Sequence, residues 1–362
     1  MRWYNVRMKM KYLAVLGRQA EICLAELVAL YSDVVRIGAQ VAVVNTDRKV
    51  DIDRLGGVMK IGPVLEDPPV EFLRAQTAGK ITLGVSDYRQ KAEKDLGLKL
   101  KRQVGRSMRV VPSENGVVST AAAYHNQLGE KQNHIELAYF DGGVANVRPQ
   151  NITAYARRDQ ARPARDAKVG MLPPKLAQIL INLCGDLPEG AMVLDPFCGT
   201  GVVLQEAVLM GYRAYGTDLS DKMVGYAKRN MEWLKKDAKM EVGDATNYTW
   251  KQPVDAVASE VYLGAPMSQP PAEIKLRQQK EETGGILMGF LKNLAEQVGA
   301  GTPVVLAIPA WLRPDESYAR LNLLDDIEKL GYNVVKFDNL GDLLYHREGQ
   351  IVAREIIVLR KI

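Results

Sequence analysis

The sequence predicts an α/β fold whose main part is a seven-stranded, doubly wound sheet. An apolar run at residues 191–194 ends on Asp195, turns through Gly199 and Gly201, and continues into a helical pattern over residues 202–208. A strand, a glycine-rich turn and a helix in this order form nucleotide-sized sites in α/β proteins. From there the chain alternates strand and helix patterns to its end, which favours a mostly parallel sheet with helices on both faces.

Apolar spacing and helix boundary residues predict the other elements of this region. Its first helix carries an apolar face over residues 176–183 and stops at Gly185. Ser220 is expected to cap the helix that follows the second strand. A glycine pair at 284–285 is a candidate to interrupt a long helix over residues 273–297. The predicted strands lie at residues 191–194, 215–218, 240–242, 254–258, 303–308, 333–337 and 351–359.

Residues 1–150 are predicted to form a mixed α+β region that precedes this sheet. The predicted helices lie at residues 21–30, 91–104 and 118–128. The predicted strands lie at residues 11–16, 34–37, 41–44, 58–65, 81–85, 108–111, 135–140 and 143–147. Asp141-Gly142 is a favourable turn pair for a hairpin between the last two strands. Residues 151–170 are polar and Arg-rich, so we expect a basic linker there and the second domain at residues 171–362.

Length and composition exclude several classes of protein. A chain of 362 residues suggests two or three domains, and no apolar run approaches the roughly 20 residues of a membrane helix. Residues 1–7 lack the apolar core of a signal peptide. Cys23, Cys184 and Cys198 show neither disulfide nor metal-ligand spacing, and the three histidines form no ligand pattern. We therefore expect a cytoplasmic protein without membrane association and without a metal.

Basic residues cluster in two stretches, although the net charge of +5 is modest. The first stretch covers residues 89–109 and the second covers residues 157–168. Two basic stretches on either side of a domain boundary suit a polyanion that contacts both domains. The alternative is a solvated helix face followed by a charged linker.

The ligand predicted for the glycine turn is S-adenosylmethionine. A dinucleotide site needs a third glycine close to the pyrophosphate, and Leu204 stands at that position. Asp218, at the end of the next strand, is placed to accept hydrogen bonds from a ribose diol, and Asp244 follows the third strand. The alternative, a glycine turn without a ligand, leaves these acidic strand ends unexplained. The predicted cofactor contacts are Pro173, Asp195, Phe197, Gly199, Thr200, Gly201, Asp218, Leu219, Asp244 and Ala245.

The fourth strand ends in Ser259-Glu260-Val261-Tyr262, which resembles the signature of amino-methyltransferases. In that signature an Asp, Asn or Ser is followed by two prolines and an aromatic residue. Its first side chain and the next carbonyl hold an exocyclic amine, and its ring stacks on the base. Such acceptors fix the line of attack of a weakly nucleophilic amine.

Ser259, Glu260 and Tyr262 are therefore the predicted catalytic residues. Glu260 and Val261 replace both prolines of the signature. This departure leaves open whether Glu260 is the acceptor carboxylate or whether catalysis is altered or lost. The alternative is a strand end with a surface Glu260 and a packed Tyr262.

As a whole, the chain resembles the THUMP-type tRNA guanine-N2-methyltransferases, in particular the catalytic subunit type that modifies position 10. The segments that carry the resemblance are residues 16–19, 24–27, 158–159, 170–177, 195–201 and 350–356. The resemblance implies a Rossmann-like class I methyltransferase domain, preceded by a THUMP-like region that binds tRNA and delivers a guanine. It leaves open whether a small activating protein subunit is needed. The residues predicted to contact RNA are Lys99, Lys101, Arg102, Arg106, Arg157 and Arg158.

The resemblance implies methyl transfer to the exocyclic N2 amine of a guanosine, which must leave its stack to reach the site. Tyr262 is the candidate to stack on that base. Two other functions fit parts of the sequence. A DNA amino-methyltransferase would share the chemistry of the fourth strand, although the N-terminal region argues against it. A cofactor-binding RNA module without catalysis would explain the missing prolines.

Overall fold

The computed structural model describes residues 9–93, 95–166 and 171–362. The chain forms two compact units, Met1–Ala154 and Tyr155–Ile362, which we call the N-terminal and C-terminal units. Residues 1–7, Lys168 at the end of the second basic stretch and Gly170 of the family resemblance lie outside the described residues.

The N-terminal unit contains two sheets. Its elements are β1 Met10–Leu16, α1 Ala20–Leu30, β2 Val34–Arg36, β3 Val41–Thr46, a 3-10 turn Ile52–Arg54, β4 Val58–Pro63, α2 Pro69–Arg74, β5 Ile81–Asp87, α3 Leu96–Val104, β6 Met108–Val110, α4 Thr120–His125, β7 His134–Phe140, β8 Gly143–Asn146 and β9 Arg148–Pro149. The first sheet has the order β2-β3-β1-β4-β9 and is antiparallel throughout. The second has the order β6-β5-β7-β8, with β5 parallel to β6 and β7. The predicted hairpin is confirmed as β7 and β8.

One predicted helix boundary in the N-terminal unit was wrong. Pro68 and Pro69 lead into α2, because proline is well placed in the first turn of a helix. The basic helix begins at Leu96 rather than at residue 91. The Asp87 carboxylate accepts the backbone N–H groups of Arg89 and Glu93, at 3.1 and 2.9 Å. These bonds hold residues 87–93, which precede the helix, in a turn.

A buried ion pair connects the two sheets of the N-terminal unit. Lys60 of β4 donates to the Glu136 carboxylate of β7 and to the carbonyl of Val118, the latter at 2.6 Å. Ser86 also donates to Glu136, at 2.6 Å. Burial lowers the pKa of Lys60 and raises the pKa of Glu136, and each charge opposes the shift of the other. Removal of one partner would therefore leave a buried charge without compensation.

The C-terminal unit contains one large sheet with helices on both faces. Its elements are α5 Ile152–Gln160, α6 Pro174–Leu183, β10 Met192–Asp195, α7 Val202–Leu209, β11 Arg213–Asp218, α8 Asp221–Leu234, β12 Lys239–Val242, β13 Ala256–Glu260, α9 Glu273–Ala295, β14 Pro303–Leu312, β15 Tyr318–Ala319, α10 Leu324–Lys329, β16 Tyr332–Val334, β17 Leu344–Tyr345 and β18 Val352–Lys361. Helix α5 begins in the last residues of the N-terminal unit and lies within the segment expected to be a linker.

The strand order confirms the predicted doubly wound sheet. Seven strands follow the order β12-β11-β10-β13-β14-β18-β16, and β15 and β17 pair at its side. The first five strands in this order, β12, β11, β10, β13 and β14, are parallel to one another. Strand β18 is antiparallel to both of its neighbours, β14 and β16. The chain direction across the sheet reverses between β10 and β13, which is where ligands bind in this class of sheet.

The long helix α9 is not interrupted at its glycine pair. A Cβ atom at Gly284 would lie 3.2 Å from a methyl group of Leu323, so this glycine allows close packing instead of a break. Among the described residues, no helix combines the length and the apolar character needed to cross a membrane.

The buried pair yields a stability prediction. Lys60→Met should destabilise the N-terminal unit by about 3–5 kcal/mol, because Glu136 would remain buried without its partner. Lys60→Met combined with Glu136→Leu should recover most of this loss. The described tryptophans all lie in the C-terminal unit, so their fluorescence does not report on unfolding of the N-terminal unit. Hydrogen exchange of β4 and β7 therefore measures the loss of stability. Equal exchange in wild type and single variant would contradict the prediction.

Candidate functional site

The candidate site lies at the edge of the sheet where the parallel strands end. Asp195 is the last residue of β10, Asp218 the last of β11 and Glu260 the last of β13, and Asp244 follows β12. Parallel strands place their carboxyl ends at one edge. The fold therefore brings together the acidic strand ends that the sequence predicted.

The glycine turn between β10 and α7 has the backbone geometry of a ligand cradle. Gly199 and Gly201 have φ values of +49° and +81°, which side chains with a Cβ rarely adopt. A Cβ at Gly201 would also lie 3.0 Å from the Cβ of Ala227. No side chain caps the first turn of α7. The backbone N–H groups of a helix start are thus available at this edge.

Asp218 connects the glycine turn to the second strand end. Its carboxylate accepts the backbone N–H groups of Gly199 and Ser220, each at 2.9 Å. Burial raises the pKa of Asp218, and these two hydrogen bonds oppose the rise. Ser220 caps α8, as predicted. Each oxygen of the carboxylate accepts one of these hydrogen bonds and can accept a second one. The neighbouring Leu219 is 74% exposed, an unusual position for a large apolar side chain.

Asp244 organises the turn after β12. Its Oδ1 accepts the N–H and the hydroxyl of Thr246, at 2.9 and 2.7 Å. Its carbonyl accepts the N–H of Tyr248 at 2.8 Å. Gly243 donates its N–H to the carbonyl of Asp218 at 3.0 Å. The second and third strand ends are therefore joined, and Ala245 is buried behind them.

Asp195 and Ser259 form a buried hydrogen bond between the ends of β10 and β13. The Ser259 hydroxyl donates to Asp195 Oδ1 at 2.6 Å, and the Phe197 N–H donates to the same oxygen at 3.3 Å. The pKa of Asp195 is raised to about 7, mainly by burial and also by the nearby carboxylates Asp218 and Glu260, whereas the hydrogen bonds from Ser259 and Phe197 oppose the rise. Ser259 is fully buried. Its hydroxyl therefore positions Asp195, and a direct contact between Ser259 and an amine stays a prediction.

Glu260 is held by an arginine from the last strand. Arg354 of β18 donates its Nε to Glu260 Oε1 at 2.6 Å and an Nη to Gln350 at 3.2 Å. Burial raises the pKa of Glu260, and the Arg354 guanidinium opposes this rise. Glu260 Oε2 has no hydrogen bond in the described part of the chain, and the side chain keeps 15% exposure. The expectation that Glu260 is merely a surface residue is excluded by this pairing.

The loop after β13 is hydrogen-bonded to α9. Gln279 accepts the N–H of Ala265 at 2.8 Å and donates to Glu282 at 3.2 Å. Gly264 has a φ of +87°, and a Cβ there would lie 2.3 Å from the Gln279 amide oxygen. Tyr262 is 38% exposed, and burial and the adjacent Glu282 carboxylate raise its pKa. The loop thus presents Tyr262 on a fixed backbone although its prolines are absent.

The remaining predicted cofactor contacts take structural positions around this edge. Phe197 packs edge-on against Phe290, with ring centroids 5.3 Å apart. The Thr200 carbonyl accepts the Asn230 side-chain amide at 2.9 Å. Pro173 immediately precedes the first residue of α6. Sequence reasoning missed Arg354 and Gln279. Arg354 falls within the segment 350–356 that carries the family resemblance, but nothing in that segment indicates its partner.

The predicted RNA contacts separate into two groups. Lys99, Lys101 and Arg102 are exposed on α3, and Arg157 is exposed on α5, with its guanidinium 5.2 Å from the Trp233 ring. By contrast, the Arg106 guanidinium donates to the carbonyls that follow α2, for example Gln76 at 2.8 Å.

Arg158 also has an intramolecular partner, because it forms a two-pronged bond with the buried Glu206, at 2.7 and 3.2 Å. Burial raises the pKa of Glu206 to about 7, and Arg158 opposes that rise. Arg106 and Arg158 therefore stabilise the fold through intramolecular hydrogen bonds, and their contact with RNA stays a prediction. Among the described residues, no group of three His, Cys, Asp or Glu side chains is arranged to hold a metal.

Comparisons with known proteins show that the C-terminal unit is similar to methyltransferases. Residues 162–283 match the family model described as RMKL-like, methyltransferase domain. The tRNA (guanine(10)-N2)-dimethyltransferase of Methanothermobacter thermautotrophicus is 31% identical over 157 residues, which is 42% of this chain and 44% of that protein. The enzyme of the same name from Pyrococcus abyssi is 40% identical over 103 residues, 27% of this chain and 30% of that protein.

Each match to these curated relatives spans less than half of the relative's length. They confirm the predicted relationship to the tRNA guanine-N2-methyltransferases, whereas the THUMP-like character of the N-terminal unit stays a prediction. The crystal structure of TrmN from Thermus thermophilus is 20% identical, covers 98% of this chain and 100% of its own, and has a TM-score of 0.47.

The raised pKa of Asp195 predicts a pH-dependent stability. Between its ordinary pKa of 3.8 and about 7, the folded chain holds a proton that the unfolded chain has released. The unfolding free energy therefore falls as the pH rises through this window. Asp195→Asn should remove this loss, so that variant and wild type diverge by up to about 4 kcal/mol between pH 4 and 7.

Chemical denaturation followed by tryptophan fluorescence measures this difference. Asp325→Asn, at an exposed position of α10, is the matched control. A constant difference between Asp195→Asn and wild type across this pH range would show that Asp195 is ionised throughout.

Proposed function

We propose that the chain transfers a methyl group from S-adenosylmethionine to the exocyclic N2 amine of a guanosine in tRNA. One observation carries the proposal: a glycine turn, acidic strand ends and an aromatic loop meet at one edge of a sheet. The relatives named tRNA (guanine(10)-N2)-dimethyltransferase support tRNA as the substrate class. The matched methyltransferase family supports the reaction type.

The residues at this edge fit S-adenosylmethionine. The remaining acceptor capacity of Asp218 suits a ribose diol, and the exposed Leu219 offers an apolar surface for a purine. Asp244 Oδ2 accepts no hydrogen bond within the described residues and suits an exocyclic amine of the adenine. The open first turn of α7 suits a ligand without phosphates that approaches closely. When bound, S-adenosylmethionine supplies an electrophilic methyl group.

The loop after β13 provides the groups that orient the guanine. The free Glu260 Oε2 would accept an N–H of the exocyclic amine, which fixes the direction of its lone pair. Arg354 holds the carboxylate in place through the other oxygen. Tyr262 would stack on the unstacked base. Ser259 acts as a positioning residue through Asp195.

Exposed basic side chains of both units provide contacts for the RNA backbone. Lys99, Lys101 and Arg102 lie on one helix of the N-terminal unit, and Arg157 lies on α5. Such charges bind phosphates without reading sequence. A cytoplasmic location belongs to the same proposal, whereas the requirement for a small activating protein subunit stays open.

Transfer of a tritiated methyl group tests the function directly. Full-length protein is incubated with labelled S-adenosylmethionine and either unmodified tRNA or duplex DNA, and the products are digested to nucleosides. The proposal expects N2-methylguanosine from tRNA. Label in DNA alone would favour the DNA amino-methyltransferase. Tight cofactor binding without transfer to either substrate would favour the binding module and contradict the proposal.

Glu260→Gln tests the role of the carboxylate. The amide keeps an oxygen for Arg354 but is a much weaker acceptor, so kcat should fall by about 100-fold. Glu355→Gln is a matched control, because Glu355 pairs with Arg320 on the same sheet at 16% exposure, close to the 15% of Glu260. Equal kcat for wild type and Glu260→Gln would return Glu260 to a structural role.

Substitution of Tyr262 tests whether its ring stacks on the base. Tyr262→Ala should lower kcat/KM for tRNA by about 5- to 150-fold, since base–aromatic stacking contributes about 1–3 kcal/mol. Tyr262→Phe keeps the ring and should retain most of the activity. Equal losses in both variants would assign the effect to the hydroxyl beside Glu282 rather than to stacking.

A further inference from the structure

Arg162 is a buried arginine whose hydrogen-bonding capacity is largely unused. It is 3% exposed, and its Nε and Nη1 have no hydrogen-bond partner within the described part of the chain. Its Nη2 contacts the Met171 sulfur at 3.7 Å, and thioether sulfur is a weak acceptor. A guanidinium stays charged in proteins, and an uncompensated buried charge is costly. The feature therefore indicates an anionic ligand.

The buried carboxylate of Glu206 does not supply that partner. Glu206 is occupied by the two-pronged bond from Arg158 and by a hydrogen bond from Gln178. Its charge acts on Arg162, as does the charge of Asp159, but neither forms a hydrogen bond with it. A planar fork of donors thus remains available, and this geometry matches a carboxylate.

The position of Arg162 relates it to the glycine turn. Two residues along the chain, Ala164 donates its N–H to the Asn230 side chain at 3.0 Å and accepts from it at 2.9 Å. The same Asn230 amide donates to the Thr200 carbonyl of the turn at 2.9 Å. On the other side, the contact with Met171 leads to Pro173 at the start of α6. Arg162 thus belongs to a segment that hydrogen bonds hold beside the proposed cofactor site.

We propose that Arg162 binds the α-carboxylate of the amino-acid part of S-adenosylmethionine. This inference rests on the proposed function, in which Asp218, Leu219 and Asp244 contact the nucleoside part. The amino-acid part then lies toward the glycine turn, beside the segment that carries Arg162. The methyl-donor cofactor has one carboxylate, and this guanidinium is the buried, unpaired cation beside the turn among the described residues.

Binding of two cofactor analogues separates this role from a structural one. S-adenosylhomocysteine carries the amino-acid part, whereas 5′-methylthioadenosine lacks it. Isothermal titration calorimetry of the full chain should show that Arg162→Met lowers the affinity for S-adenosylhomocysteine by about 10- to 100-fold. This is the range expected for loss of a charge-assisted hydrogen bond. The affinity for 5′-methylthioadenosine should stay unchanged. Arg165→Met is the matched control, because Arg165 is exposed and its one hydrogen bond to a described residue goes to the Gln160 carbonyl, at 3.0 Å.

Unchanged affinity of Arg162→Met for S-adenosylhomocysteine would overturn the inference. Equal losses for both analogues would also overturn it, in favour of a structural role. A loss of tRNA affinity with S-adenosylhomocysteine binding intact would assign Arg162 to an RNA phosphate instead. If Arg162→Met does not fold, Arg162→Lys keeps the charge without the fork and should show the same selective loss. If wild type binds neither analogue, the proposed function fails, whatever the variants do.

Discussion

The hydrogen bond between Ser259 and Asp195 is the contact on which the arrangement of the site depends. It joins the ends of β10 and β13, the two neighbouring strands between which the chain direction across the sheet reverses. The glycine turn begins directly after Asp195, and the loop of Glu260 and Tyr262 begins directly after Ser259. Both loops therefore start from one buried, fixed point. A raised pKa at Asp195 is the energetic consequence of placing a carboxyl group there.

Hydrogen bonds from neighbouring elements take the place of the prolines in the fourth-strand loop of the amino-methyltransferase signature. Arg354 holds Glu260 from β18, and Gln279 holds the backbone of Ala265 from α9. Proline restricts a loop through its own backbone, whereas these contacts restrict it through neighbouring elements. This difference makes the loop dependent on the sheet and on α9. It also explains how Glu260 keeps one oxygen for a substrate while the other is bonded.

The sequence predicts the sheet and the acidic edge because both follow from local patterns. Strand and helix patterns alternate from residue 191 onward, and carboxylates stand where parallel strands end. It does not predict contacts between distant residues, such as Glu260 with Arg354 or Lys60 with Glu136, since no local pattern indicates which opposite charge each residue pairs with. Helix α5 escaped prediction because only Tyr155 is buried in an Arg-rich segment. Arg106 and Arg158 look like RNA contacts in the sequence, and only the fold shows their intramolecular acceptors.

We propose that the carboxyl edge of the large sheet holds the cofactor. Hydrogen exchange of the full chain, with and without saturating S-adenosylhomocysteine, tests this placement. We expect slower exchange in the turn at residues 196–201, at residues 218–220 and at residues 243–246, with the N-terminal sheets unaffected. Saturation without protection of the glycine turn, or with protection confined to the N-terminal unit, would contradict it.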